Sequence, residues 1–166
     1  MAAVTLKKVG GLAAEIGKKR PFELPEEEAY LNLIRTASVL SWEFEQLFKE
    51  HGLSEATYNV LRILRGSEGG GGRSCSEIGI LMVTRVPDVT RLVDRLERMG
   101  LAKRRRGEED RRVVRVRITP KGLSVLAALD KPGEKLIRAR LGHMTRAELS
   151  ELSRLLEKAR QGSGGI

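Results

Sequence analysis

The residues best suited to chemistry in this chain are cations and short hydroxyls gathered between positions 74 and 117. Thr84, Arg85, Val86, Pro87, Asp88, Thr90, Arg91 and Arg95 fall in the stretch TRVPDVTRLVDRLERMG, residues 84–100. Arginine can grip guanine through two hydrogen bonds, and threonine can bond a base or phosphate and touch a thymine methyl. In a first helical turn Pro87 loses no helical hydrogen bond and fixes the backbone angle at which that end approaches a groove. Asp88 and Asp94 do not suit phosphate and read as partners that hold neighbouring guanidinium groups, Asp94 and Arg98 having the favourable four-residue spacing. Upstream, Ser74 and Ser76 open a short helix and join the contacting set. Downstream, Arg104, Arg105, Arg106, Arg111 and Arg112 offer charge to phosphates, which adds affinity without sequence information.

That concentration of charge is local. The chain has 166 residues and a formal net charge of +9. From Arg85 to Arg117 there are twelve Lys and Arg against six Asp and Glu, so +6 of the excess lies in one-fifth of the chain. An acidic partner is expected, nucleic acid or an anionic surface. No apolar run approaches the ~20 residues of a membrane span. The N-terminus lacks the apolar core of a signal peptide, so a cytoplasmic protein is expected. One cysteine, Cys75, excludes an internal disulfide and suits a reducing compartment.

Catalysis has little to work with. His51 and His143 are the two histidines, each beside a glycine at a helix end, where a cation suits the dipole. No metalloprotease, serine-hydrolase or phosphate-loop pattern occurs, and no cluster offers three or four metal ligands. No enzyme, cofactor or metal site is expected. A winged helix that binds only protein is the rival to DNA binding, but it has no need of this hydroxyl and arginine face.

The elements that must position these groups follow from periodicity and punctuation. Residues 1–23 read as a basic arm, either solvated or grazing a phosphate or partner. Pro25 and three glutamates open a helix to about Lys49 that is apolar around much of its circumference, Trp42 included. Trp42 is assigned to the core or a chain–chain interface, with an effector pocket as the other use. Ser54 caps a helix over 55–65, with Tyr58, Val60, Leu61 and Leu64 inward. GSEGGGGR reads as a flexible loop. Ser74 and Glu77 form a capping box for a short helix over 75–82, burying Ile78 and Leu81. A second helix follows over 84–99, with Val89, Leu92, Val93, Leu96 and Met99 as its buried stripe and Gly100 as a left-handed cap. A short helix, a turn and an amphipathic helix make a helix-turn-helix.

The period then changes to two. LAKRRR and VVRVRIT alternate around the turn residues GEED, placing Val114, Val116 and Ile118 on one face and Arg115 and Arg117 on the other. Such a hairpin after a helix-turn-helix is a wing. Thr119 and Pro120 start a long helix that Pro132 and Gly133 should kink or break. Thr145 and Glu148 box the start of a final helix whose Leu149, Leu152, Leu155 and Leu156 repeat like an interhelical seam. The fold class is mainly α with a small β wing. The expected organisation is an arm at 1–23, a helical dimerisation region at 24–50 and 120–162, and a DNA-binding lobe at 51–119. The apolar surplus of the terminal helices is expected to pair two chains.

The stretch SEIGILMVTRVPDVTRLVDRLERMGLAKRRRGEEDRRVVRVRITPKG, with GLSEATYNVLRIL before it and HMTRAELSELSRLLEKAR after it, resembles the MarR family of bacterial transcriptional regulators. The T-R-L-V-D-R-L-E core, the D-x-R of Asp110 to Arg112 and I-T-P-K-G carry the resemblance in combination, over roughly residues 30–160. It implies a six-helix protomer with a wing in an intertwined homodimer, binding pseudo-palindromic double-stranded DNA operators, commonly as a repressor. It places the recognition helix at about Thr84 to Met99 and Arg111 and Arg112 at the wing tip. It also implies a small phenolic or aromatic effector between the dimerisation helices and the DNA-binding lobe. Two features depart from it. Cys75 does not sit where the peroxide-sensing members carry their cysteine, and reads as a small packed filler. The N-terminal extension exceeds that of a minimal member.

Overall fold

The computed structural model describes residues 11–106 and 114–161. Their elements are α1 (Gly11–Glu15), α2 (Pro25–Lys49), α3 (Glu55–Arg65), α4 (Cys75–Leu81), α5 (Val89–Arg98), β1 (Ala102–Arg106), β2 (Val114–Ile118), α6 (Pro120–Leu141) and α7 (Arg146–Gln161). The mainly helical class with one small antiparallel sheet matches the sequence reading, and α1 is an added short helix. The GEED turn, Arg111, Arg112 and the first ten residues of the expected arm lie outside the described residues.

The helix starts are written in local chemistry. Ser54 accepts the Thr57 N–H while the Thr57 hydroxyl takes the Ser54 N–H, which satisfies two of the donors a helix start leaves without partners. Ser74 and Glu77 reciprocate in the same way, as do Thr145 and Glu148. Thr119 caps α6 by accepting the Gly122 N–H at 3.1 Å, and Gly100 turns the chain out of α5 with φ of 72°.

The chain divides into two units, residues 1–43 and 44–166. In the first, Arg35 of α2 pairs with Glu15 of α1 at 3.0 Å, and Leu12 and Ala13 are buried. The second holds the main core: Phe48, Val60, Leu61, Leu64, Ile78, Val93, Leu96, Leu101, Val116, Leu126 and Leu129, each at most 3% exposed. Phe48 stacks on Tyr58 with ring centroids 4.2 Å apart. The burial comes from one stripe each on α3, α4, α5 and α6, closed by alternate residues of the hairpin.

Four expectations need correction here. Leu81 is 49% exposed rather than buried, because α4 ends there and the next residue, Met82, packs against the core instead. Val114 is 45% exposed while Val116 and Ile118 are buried, so the inward face of β2 outruns the core towards its tip. Of the kink or break expected at Pro132 and Gly133, the break does not occur. α6 is continuous, and the residues flanking the missing hydrogen bond, Ala128 and Pro132, are exposed, so water can serve the orphaned carbonyl. The glycine-rich loop is not simply slack. Arg73 exchanges both backbone hydrogen bonds with Val116, at 3.0 and 2.7 Å, adding a one-residue third strand to the wing. Gly72 makes this approach possible: its φ is 89°, and a Cβ there would lie 2.5 Å from the Val116 carbonyl oxygen.

Candidate nucleic-acid interface

α5 has two unlike sides. Val93 and Leu96 are fully buried, with Val89, Leu92 and Met99 partly buried against the same core. Thr90, Arg91, Asp94, Arg95 and Arg98 are exposed. Burial of one stripe therefore fixes which side chains face outward, and those are the hydroxyl and guanidinium groups.

The helix begins later than its pattern predicts. Asp88 is the N-cap, with extended backbone (φ −146°, ψ 90°), and its carboxylate accepts the Arg91 N–H at 3.1 Å. Thr84, Arg85, Val86 and Pro87 form the approach to α5 rather than its first turn. Two local effects shorten it: an aspartate favours the cap position, and Pro87 biases Val86 away from helical backbone. Pro87 thus sets the entry of the chain into the cap instead of stiffening a helical turn. Thr84, Arg85 and Pro87 are exposed and Val86 is half-buried. The loop is held from α3, where the Asn59 side-chain oxygen accepts the Val83 N–H at 3.1 Å.

Asp88 also pairs with the Arg91 guanidinium at 3.2 Å, as expected of a carboxylate that orients an arginine, and Arg91 stays 86% exposed. Asp94 does not pair with Arg98. It accepts from Arg104 of β1 at 2.6 Å, and Glu97 accepts the Arg104 guanidinium as well as its backbone N–H. Arg104 is therefore not a free phosphate ligand but a brace between the wing and α5. Burial alone would lower its pKa, yet the hydrogen bonds it donates to Asp94 and Glu97 outweigh that and raise it. Arg95, exposed on α5, spends one N–H on the Gly52 carbonyl at 3.0 Å.

At the start of α4 the Ser74 oxygen is occupied as a cap, although its hydroxyl proton can still be donated. Ser76 is exposed. The Ser74 backbone N–H and then its hydroxyl hold the Glu77 carboxyl below the usual range, with Arg115 and Arg73 adding to the effect. Cys75 is half-buried against the core, as a filler should be. In the wing, Ala102 pairs with Ile118 and Arg106 with Val114 across the antiparallel ladder. Arg115 and Arg117 reach back to the carbonyls of Gly72 and Gly71 at 3.2 and 2.9 Å. Sequence reading missed Asn59 and these two anchors, since their partners lie 24 or more residues away and no local pattern marks them.

The arrangement is a short helix, a held loop, a helix with an exposed cationic and hydroxyl face, and an arginine-rich hairpin braced to that helix. Residues 53–114 match the model of the MarR family. A MarR transcription factor from Planctomyces limnophilus of known structure is 41% identical, with a TM-score of 0.61, over 82% of this chain and 98% of that one. The chain belongs to the MarR family. It is a DNA-binding transcriptional regulator. The HTH-type transcriptional repressor IacR of Pseudomonas putida is 29% identical over 132 residues, spanning 80% of this chain and 77% of IacR. The fold is also shared with Bordetella bronchiseptica BpsR, whose DNA binding is regulated by 6-hydroxynicotinic acid (24% identity, TM-score 0.70, 88% of this chain and 99% of that one).

A second feature of this MarR protein lies where α3 faces α6. A hollow of about 410 Å³ is lined by Phe44, Tyr58, Arg62, Asp130, Ile137 and Arg138, among others. Apolar walls come from Phe44, Tyr58 and Ile137, and charge from both signs. Among the described residues no group of three or more His, Cys, Asp or Glu could hold a metal ion, and no helix is long and apolar enough to cross a membrane.

Proposed function

We propose that this MarR protein is a repressor that binds a pseudo-palindromic operator as a homodimer in the cytoplasm, and that a small aromatic acid releases it. It acts as a binding protein, not a catalyst. The observation that carries the reading is the outward face of α5 and its approach loop. Thr90 and Arg91 are exposed on α5, whose buried stripe turns them outward, and Thr84 and Arg85 are exposed in the approach loop, which Asn59 holds at Val83. Thr84, Arg85, Val86, Thr90 and Arg91 read base edges, with Pro87 and Asp88 setting their approach. Ser74, Ser76 and Arg95 meet phosphates beside them, and Arg111 and Arg112 belong to the wing contact.

Dimerisation is supported by apolar surface that one chain leaves uncovered. α7 has no buried residue, and its Leu152 and Leu155 are 37% and 47% exposed. On α2, Leu33, Ile34, Val39 and Trp42 are exposed, Trp42 by 63%. A helix seam of this kind is stable only against another surface, and a second copy supplies it symmetrically. This favours the interface use of Trp42 over the core. The regions 24–50 and 120–162 then form the dimerisation part and 51–119 the DNA-binding lobe.

Release is supported by the hollow between α3 and α6. Its aromatic walls suit a planar ring, and Arg62 or Arg138 suits a carboxylate. α3 also packs under α5, so a ligand that shifts α3 moves the recognition helix. The test has three parts: sedimentation, selection of bound sequences from a random duplex pool, and titration of the selected duplex with aromatic acids. The expected results are a dimer, an inverted repeat and loss of affinity with acid. A monomer that ignores every duplex at low salt would overturn the reading. Arg91→Ala should lower affinity and blur base preference, whereas Arg112→Ala should weaken selected and random duplexes alike.

A further inference from the structure

Another hollow, of about 420 Å³, lies between the end of α3, the glycine-rich loop and the base of the wing. It shares no lining residue with the hollow between α3 and α6, and its walls differ in kind. Leu64 and Ile118 supply a thin apolar part. Charge comes from Glu68, Lys103 and Arg117, and Gly69 and Gly71 bring backbone to the rim. The register of the wing sets the two cations side by side. Lys103 stands directly opposite Arg117 on the antiparallel ladder, so both project from one face. Like charges in that relation destabilise a ladder, and an anion set between them removes the cost. Arg117 is fixed by its Nε–H bond to the Gly71 carbonyl at 2.9 Å. Lys103 is exposed and has no carboxylate partner among the described residues, although Glu68 lines the same hollow. Glu68 in turn has no cation partner among the described residues. The N–H groups of Gly69 and Gly71 have no acceptor among the described residues either, and their φ angles of 87° and 84° hold the loop in a form that other residues rarely adopt.

Opposite charges that share a hollow without closing on each other leave room for a ligand that meets both. Two adjacent cations with N–H donors beside them suit a compact dianion rich in acceptor oxygens, which is a phosphate monoester. A carboxylate that lacks a cation suits hydroxyl donors. Little apolar wall is offered to an aromatic ring, and the volume lies within the range of small-molecule sites. We propose that this hollow binds a small phosphorylated polyol, with Lys103, Arg117 and the glycine N–H groups on the phosphate and Glu68 on the hydroxyls. The loop leaves the hollow through Arg73, which is bonded to Val116 of β2, and enters the Ser74 cap of α4. A bound phosphate therefore ties the loop to the wing, and the thermal midpoint rises on binding.

The experiment is isothermal titration calorimetry on the full chain without DNA, using ribose 5-phosphate, ribose and inorganic phosphate as probes. Ribose 5-phosphate should bind once per protomer and more tightly than inorganic phosphate, and ribose should give no binding heat. Lys103→Gln should weaken ribose 5-phosphate by about tenfold or more, the loss of one charged hydrogen bond. It should not lower the thermal midpoint of the unliganded protein, because the side chain is exposed. Glu68→Gln should weaken ribose 5-phosphate but not inorganic phosphate. No binding of ribose 5-phosphate overturns the site, as does equal affinity in wild type and Lys103→Gln, which would put the ligand elsewhere. Ribose 5-phosphate held no better than inorganic phosphate, or unaffected by Glu68→Gln, overturns the polyol assignment.

Discussion

Two helical glycines should respond to the same substitution with opposite signs. Gly122 stands in the first turn of α6, where the wing returns to the helices. A Cβ there would lie 2.3 Å from the Leu101 carbonyl oxygen and 2.7 Å from Ile118 Cγ1. The first contact is with backbone, so α6 or the turn after α5 must move. Overpacking of this kind costs about 1–3 kcal/mol. Against it stands the gain of alanine over glycine in a helix, at most about 1 kcal/mol. The steric effect wins, and Gly122→Ala should lose roughly 1–2 kcal/mol, a fall in Tm of roughly 2–8 °C at this chain length. Gly79 in α4 is the control. A Cβ there would meet only Val89 Cγ2, at 3.5 Å, an ordinary contact. Gly79→Ala should therefore gain up to about 1 kcal/mol. Urea unfolding followed by circular dichroism, at one protein concentration because a dimer's stability depends on it, gives both values. A Gly122→Ala protein as stable as wild type, or a Gly79→Ala protein that loses as much, would refute the packing account. The functional consequence follows from position: Leu101 joins α5 to the wing, so Gly122→Ala should also weaken operator binding.

Asn59→Leu should leave the secondary structure intact but free the loop before α5, cutting the ratio of operator to random-duplex affinity several-fold; an unchanged ratio would show that the Val83 contact is incidental. Arg104→Gln should cost roughly 1 kcal/mol of stability, since the pair is partly exposed, and lower DNA affinity by more than that loss explains. Equal losses would mean that the brace does not position the wing. Arg65 of α3 holds Asp130 of α6 through two hydrogen bonds, at 2.8 and 3.0 Å, and these bonds keep the Asp130 carboxyl below its ordinary value. A depressed carboxyl contributes stability that is complete above its unfolded pKa, about 4, and is lost as pH falls through the lower folded value. Asp130→Asn should therefore flatten the acid limb of a stability–pH curve below pH about 4, by less than about 1 kcal/mol because Asp130 is exposed. An unaltered acid limb would count against that pair.

The elements and their order are legible along the chain. The cap at Ser54, the capping boxes at Ser74 and Thr145 and the change of period from 3.6 to 2 near Leu101 act within a few residues, so they can be read without a fold. The same reading marks α5, because an apolar stripe and a cationic face on one short helix leave a single way to bury it. What distant groups do to one another is settled by packing. Asp94 has Arg98 one turn away, yet it takes Arg104, since the wing brings a guanidinium to its other side. Four glycines in a row look like slack, but a sheet edge was waiting for Arg73, and Gly72 alone could let it close. Opposed cations on the wing become visible only when the register is known, for a single slip of one residue would send half of them to the other face. Local chemistry obeys short spacing along the chain, whereas braces and anchors depend on separation in space, which only packing sets.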